Sequence, residues 1–280
     1  DETYTNPFDF NLHVTGIAIG TSVAYLVGGI LIVAVLLKGS KDLSLRLRNL
    51  APDFALFWRI AKIGVPNFFE GLSMWAANLF ILQFIGQISM QMATKNGSDV
   101  PVQGLQGAHV IGVQWESFSF LPGFAIGIAA GTLAGQYLGA GNEKYARKAV
   151  WSCVMLAVIF MGSIGIVMMF AGDSLTSFIT QEPMHLALVP KLLFIAGVTQ
   201  IGFAVMMVIR QALKGVGDTT WTFAITSFSS WCIRLPAAWY LGIHVELGLV
   251  GVWYALCGEM LIRAVLFIIR FNQRGWMKSI

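Results

Sequence analysis

Seven long apolar stretches, separated by short polar segments, dominate the chain. They run from Leu12 to Leu37, Val65 to Met90, Ala108 to Leu138, Ala149 to Ala171, Leu186 to Leu213, Trp221 to Leu241 and Leu247 to Ile269. A helix rises about 1.5 Å per residue, so about 20 apolar residues cross a hydrocarbon core of about 30 Å. All seven stretches reach that length, and the pattern predicts an all-α, polytopic membrane helix bundle with about seven transmembrane helices. The third stretch is the longest and contains Pro122, which predicts a kink.

The polar segments give the bundle a direction. After the first, third, fifth and seventh stretches come Lys38, Lys41, Arg46, Arg48, Arg59 and Lys62; Lys144, Arg147 and Lys148; Arg210 and Lys214; and Arg270, Arg274 and Lys278. Fourteen of the eighteen basic residues thus fall on one side, while the opposite connections hold Lys95 and Lys191 beside Asp1, Glu2, Asp9, Asp99, Asp173 and Glu182. Lys and Arg mark the cytoplasmic side, so the N-terminus is expected outside and the C-terminus in the cytoplasm of a plasma or inner membrane. Pro52 to Ile63, PDFALFWRIAKI, mixes aromatic and basic residues in the manner of a short helix lying on the cytoplasmic interface.

Composition removes whole classes of function. Hydrophobic residues make up 56% of the chain and charged residues 11%, with a mean hydropathy of +0.72, which excludes a water-soluble fold. The net charge of +4 is spread between apolar runs, so it signals topology and not a nucleic-acid partner. Cys153, Cys232 and Cys257 lie inside apolar runs without metal-ligand spacing, and no metal, cofactor or catalytic site is expected. The sequence contains no P-loop, HExxH or Gly-x-Ser-x-Gly pattern, so it is not expected to be an enzyme, and pumping would draw on an ion gradient. Gly215 to Asp218 reads as a tight turn, with Asp218 capping the sixth helix.

Polar groups at membrane depth are costly and therefore mark candidate sites. In the second stretch Asn67, Glu70, Met74 and Asn78 share one stripe, behind Pro66; in the third, His109, Gly112, Glu116, Ser119 and Gly123 do the same, beside Gln114 and Trp115. Two carboxylates, Glu70 and Glu116, on adjacent helices suit a proton or cation relay; the plainer alternative is that each holds helices together. Asn67, Asn78, Trp115 and Gln200 are candidates for the lining of a substrate cavity. Pro66, Pro122, Arg234, Pro236, Glu259 and Arg263 are structural or gating candidates: Glu259 and Arg263 stand four apart, and Arg234 with Pro236 should break the sixth helix. Gly123, Gly127, Gly131, Gly135 and Gly139 form a stripe for close helix packing or for sliding.

The first and last stretches resemble one another, suggesting parallel repeats. Four segments carry a further resemblance: KIGVPNFFE from Lys62, LAGQYLGAGNEKYARKA from Leu133, RQALKGVGDTTW from Arg210 and WCIRLPAAWYL from Trp231. In order and spacing they resemble the seventh helix, the eighth-to-ninth turn, the tenth-to-eleventh turn and the eleventh helix of the multidrug and toxic compound extrusion (MATE) exporters. That resemblance implies two six-helix lobes around a central cavity, of which this chain is the sixth helix plus the C-terminal lobe. It implies residues 1–11 as an external segment, 12–37 as a helix of the N-terminal lobe and 38–63 as a cytoplasmic linker with an interfacial helix. Residues 64–270 would be the C-terminal six-helix lobe and 271–280 a cytoplasmic tail. Because the chain opens at Asp1 and not at a methionine, it is expected to be a piece of a longer polypeptide; a half-size protein that pairs with a second lobe is the alternative.

The resemblance also implies an antiporter that exports amphipathic, often cationic, drugs or toxins in exchange for H⁺ or Na⁺. The partners would then be a small-molecule substrate, the lipid bilayer and the missing lobe. The family's acidic partner on the tenth helix has no counterpart here, since Leu192 to Leu213 contains no carboxylate. A lipid-linked oligosaccharide flippase of the same superfamily is the alternative within transport, and would need unpaired cations in its cavity for phosphate. A non-transporting membrane scaffold is the alternative outside it.

Overall fold

The computed structural model describes residues 13–39, 53–273 and 275–278, and among these residues there is helix but no strand. The chain divides into two compact units, residues 1–58 and 59–280. In the first, helix α1 (His13–Lys38) is apolar around its whole circumference, as a helix surrounded by lipid must be.

The second unit contains most of α2 (Phe54–Lys95), then α3 (Leu105–Gly139), α4 (Glu143–Phe170), the short α5 (Gly172–Ile179) and α6 (Pro183–Gly215). It continues with α7 (Thr219–Phe228), a π-helical turn at Ser229–Arg234, α8 (Leu235–Trp239), a second π turn at Tyr240–His244, α9 (Gly248–Asn272) and a 3₁₀ turn at Gly275–Lys278. Six of these helices, α1 included, are individually long and apolar enough to cross a membrane. Helix-type backbone also runs unbroken from Thr219 to His244.

Two features differ from the sequence expectation. Residues from Phe54 do not form a separate interfacial helix but open α2, whose first turn is capped by Asp53 accepting from Ala55 N at 2.9 Å and Leu56 N at 3.1 Å. Pro66 and Pro122 lie inside α2 and α3 without ending either helix. Pro236 does not break its helix either: wide π turns flank α8 and re-register the hydrogen bonds around the residue that lacks an N–H.

Helix α6 is the axle of the unit, packing against α3, α4, α5, α7 and α9. Its surface is apolar nearly all round, so Leu192, Leu193, Ala196, Phe203, Ala204, Val208 and Ile209 are buried on several faces at once. Glycines let the backbones close in. A Cβ on Gly131 would meet Gln211 O at 2.7 Å, one on Gly215 would meet Gly131 Cα at 2.5 Å, and one on Gly165 would meet Gly197 O at 2.7 Å. The glycine stripe is therefore a packing seam at Gly123, Gly127 and Gly131, where Met161, Gln211 and α6 backbone fill the space, whereas Gly139 has nothing within 4 Å.

Gly131→Val is expected to lower the unfolding free energy by about 1–3 kcal/mol through overpacking, and Gly139→Ala to leave it unchanged. Thermal unfolding of the two variants in detergent checks the contrast.

Candidate functional site

Two buried charge clusters hold the helices of the second unit together. The first surrounds Glu70 on α2, whose side chain is fully buried. Arg210 Nε donates to Glu70 Oε1 at 2.6 Å, the Thr226 hydroxyl donates to the same oxygen at 3.0 Å, and Lys214 Nζ lies 2.8 Å from Oε2. Lys214 also donates to Asn67 Oδ1 at 2.7 Å, and Arg210 Nη2 approaches Met74 Sδ at 3.7 Å. Above this cluster the Trp231 indole N–H donates to Ser73 Oγ at 2.9 Å. Asn67, Glu70 and Met74 thus face α6 and α7, whereas Asn78 is exposed. Buried ion pairs of this kind need every charge present, because removing one leaves the others desolvated and unpaired.

The second cluster surrounds Glu259 on α9. Arg234 donates to Glu259 Oε2 through Nε at 3.0 Å and Nη2 at 2.8 Å, and Arg263 Nε donates to Oε1 at 2.7 Å. The Ser229 hydroxyl donates to Oε1 as well, and Arg263 Nη2 donates to Ser230 Oγ at 3.0 Å. Both serines and Arg234 belong to the first π turn. The wide turn is thus where the helix of Arg234 meets the acid of α9, joined by the i,i+4 pair Glu259–Arg263. One carboxylate serves two guanidiniums here, leaving one positive charge in excess within the cluster.

Glu116, on α3, is half-buried, and among the described residues it makes no hydrogen bond or ion pair. The charge acting on it is Arg234, with Cys257 also in electrostatic reach. Glu70 and Glu116 have different neighbours: Arg210, Lys214 and Thr226 surround the first, and the charge acting on the second is Arg234. Their surroundings differ because α2 turns Glu70 towards Arg210 and Lys214 on α6, while α3 turns Glu116 towards Arg234.

The other sequence candidates take varied positions. Gln200 is buried, accepts from the Ser119 hydroxyl at 2.8 Å and points its amide at Met168 Sδ at 3.9 Å, so it ties α3 to α6 and does not line a cavity. Trp115 is half-buried against the core, stacks at a tilt on Phe118 and leaves its indole N–H without a partner. His109 Nδ1 accepts from the Trp253 indole at 3.1 Å, a structural contact that fixes the ring against Gly112. Asp218 makes no capping bond; its carboxylate instead accepts from Arg270 Nε at 2.8 Å. Among the described residues no three His, Cys, Asp or Glu side chains converge on one point.

Two of the cavities that open on this unit are rich in polar side chains. One, of 500 Å³, is lined by Asn67, Arg210, Lys214, Gln211, Thr132 and Thr219. The other, of 580 Å³, lies among Gln83, Gln87, Gln91, Met90 and Gln106. These glutamines were missed in the sequence, although Gln83, Gln87 and Gln91 follow one another at helical four-residue spacing.

The geometry has close counterparts. The structure superimposes with a TM-score of 0.79 on a crystal structure of MATE in the straight conformation, at 17% identity, covering 94% of this chain and 57% of that one. The outward-facing conformation of a multidrug resistance MATE family transporter of the MOP superfamily gives a TM-score of 0.77 at 17% identity, over 93% of this chain and 56% of that one. In sequence, the chain is 26% identical to the probable multidrug resistance protein NorM of Thermotoga maritima over 95% of its own length and 54% of the relative's. It is 33% identical to the multidrug resistance protein NorM of Burkholderia vietnamiensis, over 60% of this chain and 37% of that protein. The chain thus spans about half the length of the curated relatives it matches. A family profile described as MatE covers residues 75–240, more than half of the sequence, and the chain accordingly belongs to the MatE family of membrane transporters.

Proposed function

We propose that this chain forms one lobe and an additional helix of a secondary exporter that moves amphipathic, cationic drugs or toxins outward in exchange for H⁺ or Na⁺. Family membership and relatives named as multidrug resistance proteins support the export of such compounds. A second lobe, in the same polypeptide or another, would supply the opposite cavity wall and permit alternating access. The basic end of the bundle, carrying Lys62, Lys144, Arg147, Lys148 and Arg270, would be cytoplasmic.

The observation that carries the coupling half of this reading is Glu116. It is a carboxylate within an apolar helix, free of hydrogen bonds among the described residues, facing a cluster with one excess positive charge. Ionised and unoccupied, Glu116 balances Arg234. When it holds a proton or a sodium ion, that balance is lost and Arg234 depends on Glu259 alone. Arg234 and the coupling ion therefore compete for one carboxylate, which gives the ion different affinities in conformations that differ in the Glu116–Arg234 separation. Glu70 is a poorer coupling residue, because two cations and a hydroxyl already occupy it. The same pairing counts against a flippase of phosphate-bearing lipids: Arg210 and Lys214 are held by Glu70, and Arg234 and Arg263 by Glu259.

In proteoliposomes of the protein made from its complete coding sequence, Glu116→Gln is expected to abolish drug transport driven by an imposed ion gradient while leaving drug binding within about twofold. Wild-type gradient-driven transport in that variant would remove Glu116 from the coupling path. Glu70→Gln should behave differently, costing about 3–5 kcal/mol of stability by stranding two buried cations; it shows as loss of folded protein in the membrane before any coupling defect. Unaltered thermal unfolding of Glu70→Gln would contradict this.

A further inference from the structure

The half of α2 that leads to Lys95 carries Gln83, Gln87 and Gln91 in one row, and Gln106 in the first turn of α3 faces the same 580 Å³ cavity. All four side chains are exposed, and among the described residues none is hydrogen-bonded. Gln83 lies twelve residues before Lys95, about 18 Å along the helix axis, whereas the interfacial layer of a bilayer is about 5–8 Å thick. Lys95 itself pairs with Glu246 in the turn before α9, at the polar edge of the bundle. The deeper carboxamides of the row therefore sit at hydrocarbon depth, where acyl chains offer them no partner. They must face water, protein or a ligand.

The chemistry of the cavity narrows the occupant. No charged residue lines it; Leu82, Gly86 and Met90 provide apolar contact and open space between the carboxamides. Each carboxamide both donates and accepts, and its volume lies in the about 300–1,000 Å³ range of small-molecule sites. A site built for the cationic part of a substrate would carry a carboxylate, and here there is none.

We infer that this cavity binds the uncharged hydrogen-bonding portion of the exported amphiphile, its hydroxyl, carbonyl or amide groups. The inference rests on the transport reading above and adds to it that the glutamine row selects for neutral polar groups. Leucine matches glutamine in helix propensity and is at ease in lipid, so replacing the row does not threaten the helix.

The test compares two compounds in cells expressing the complete coding sequence. Doxorubicin carries several hydroxyls and carbonyls; tetraphenylphosphonium carries charge and no hydrogen-bonding group. In the double variant Gln83→Leu with Gln87→Leu, the KM for doxorubicin export should rise about tenfold, while that for tetraphenylphosphonium stays within about twofold and reports an intact, inserted protein. An unchanged doxorubicin KM, an equal loss for both compounds, or a wild type that exports tetraphenylphosphonium but not doxorubicin overturns the inference. Failure of the transport reading is distinguishable, as a wild type that exports neither compound, and the inference falls with it.

Discussion

A polar group in a bilayer must find its partner within the protein, and the arrangement of this chain follows from that constraint. Glu70 and Glu259, both fully buried, act as the hubs to which otherwise unrelated helices attach. Through Glu70, α2 is fixed to Arg210 and Lys214 on α6 and to Thr226 on α7; through Glu259, α9 is fixed to the π turn that carries Ser229 and Arg234. Apolar packing sets the spacing, since α6 is gripped on several sides and glycine seams bring α3 and α4 to backbone contact with it. In lipid, burial of apolar surface between helices gives little net gain, so close packing and polar pairing specify the neighbours.

That division of labour explains what could be read from the sequence. The apolar stretches are local features, and they give the all-helical membrane architecture directly. Pairing is not local. Glu70 and Arg210 stand 140 positions apart, and nothing in either segment announces the other. Gln200 looked like a cavity residue because it is polar in an apolar helix, yet it is spent on Ser119 inside the bundle. Asn78 shares a stripe with Asn67 and both are exposed, but only Asn67 reaches a partner on α6, Lys214. The signal at Pro236 was genuine but its consequence differed, because π turns absorb the missing bond without ending the helix. The glutamine row has a clear four-residue period, but period alone does not distinguish a face that lines a cavity from one packed against protein.

The contrast between satisfied and unsatisfied polar groups also sorts structure from function. Groups that have partners on other helices, Glu70 and Glu259 among them, are what a rigid lobe requires. Other groups, Glu116 on α3 and the carboxamides of α2, have no such partners among the described residues. A membrane transporter must keep a small number of these, because ions and substrates can be held only by groups that the fold has left available. In the exporter proposed above, the excess positive charge around Arg234 would give Glu116 an alternative to its ion, and one carboxylate would then couple two states.

The most direct test of this account is solvent accessibility along α2, position by position, using single cysteines and a membrane-impermeant thiol reagent applied to each side in turn. Cysteines at Asn78, Gln83 and Gln87 are expected to react, while those at Ala77, Ile81 and Ile85, buried against the bundle, stay protected by packing. Uniform protection along the helix, or labelling at Ala77, Ile81 and Ile85 as strong as at the glutamines, would contradict the claim that unpaired polar side chains mark the aqueous path.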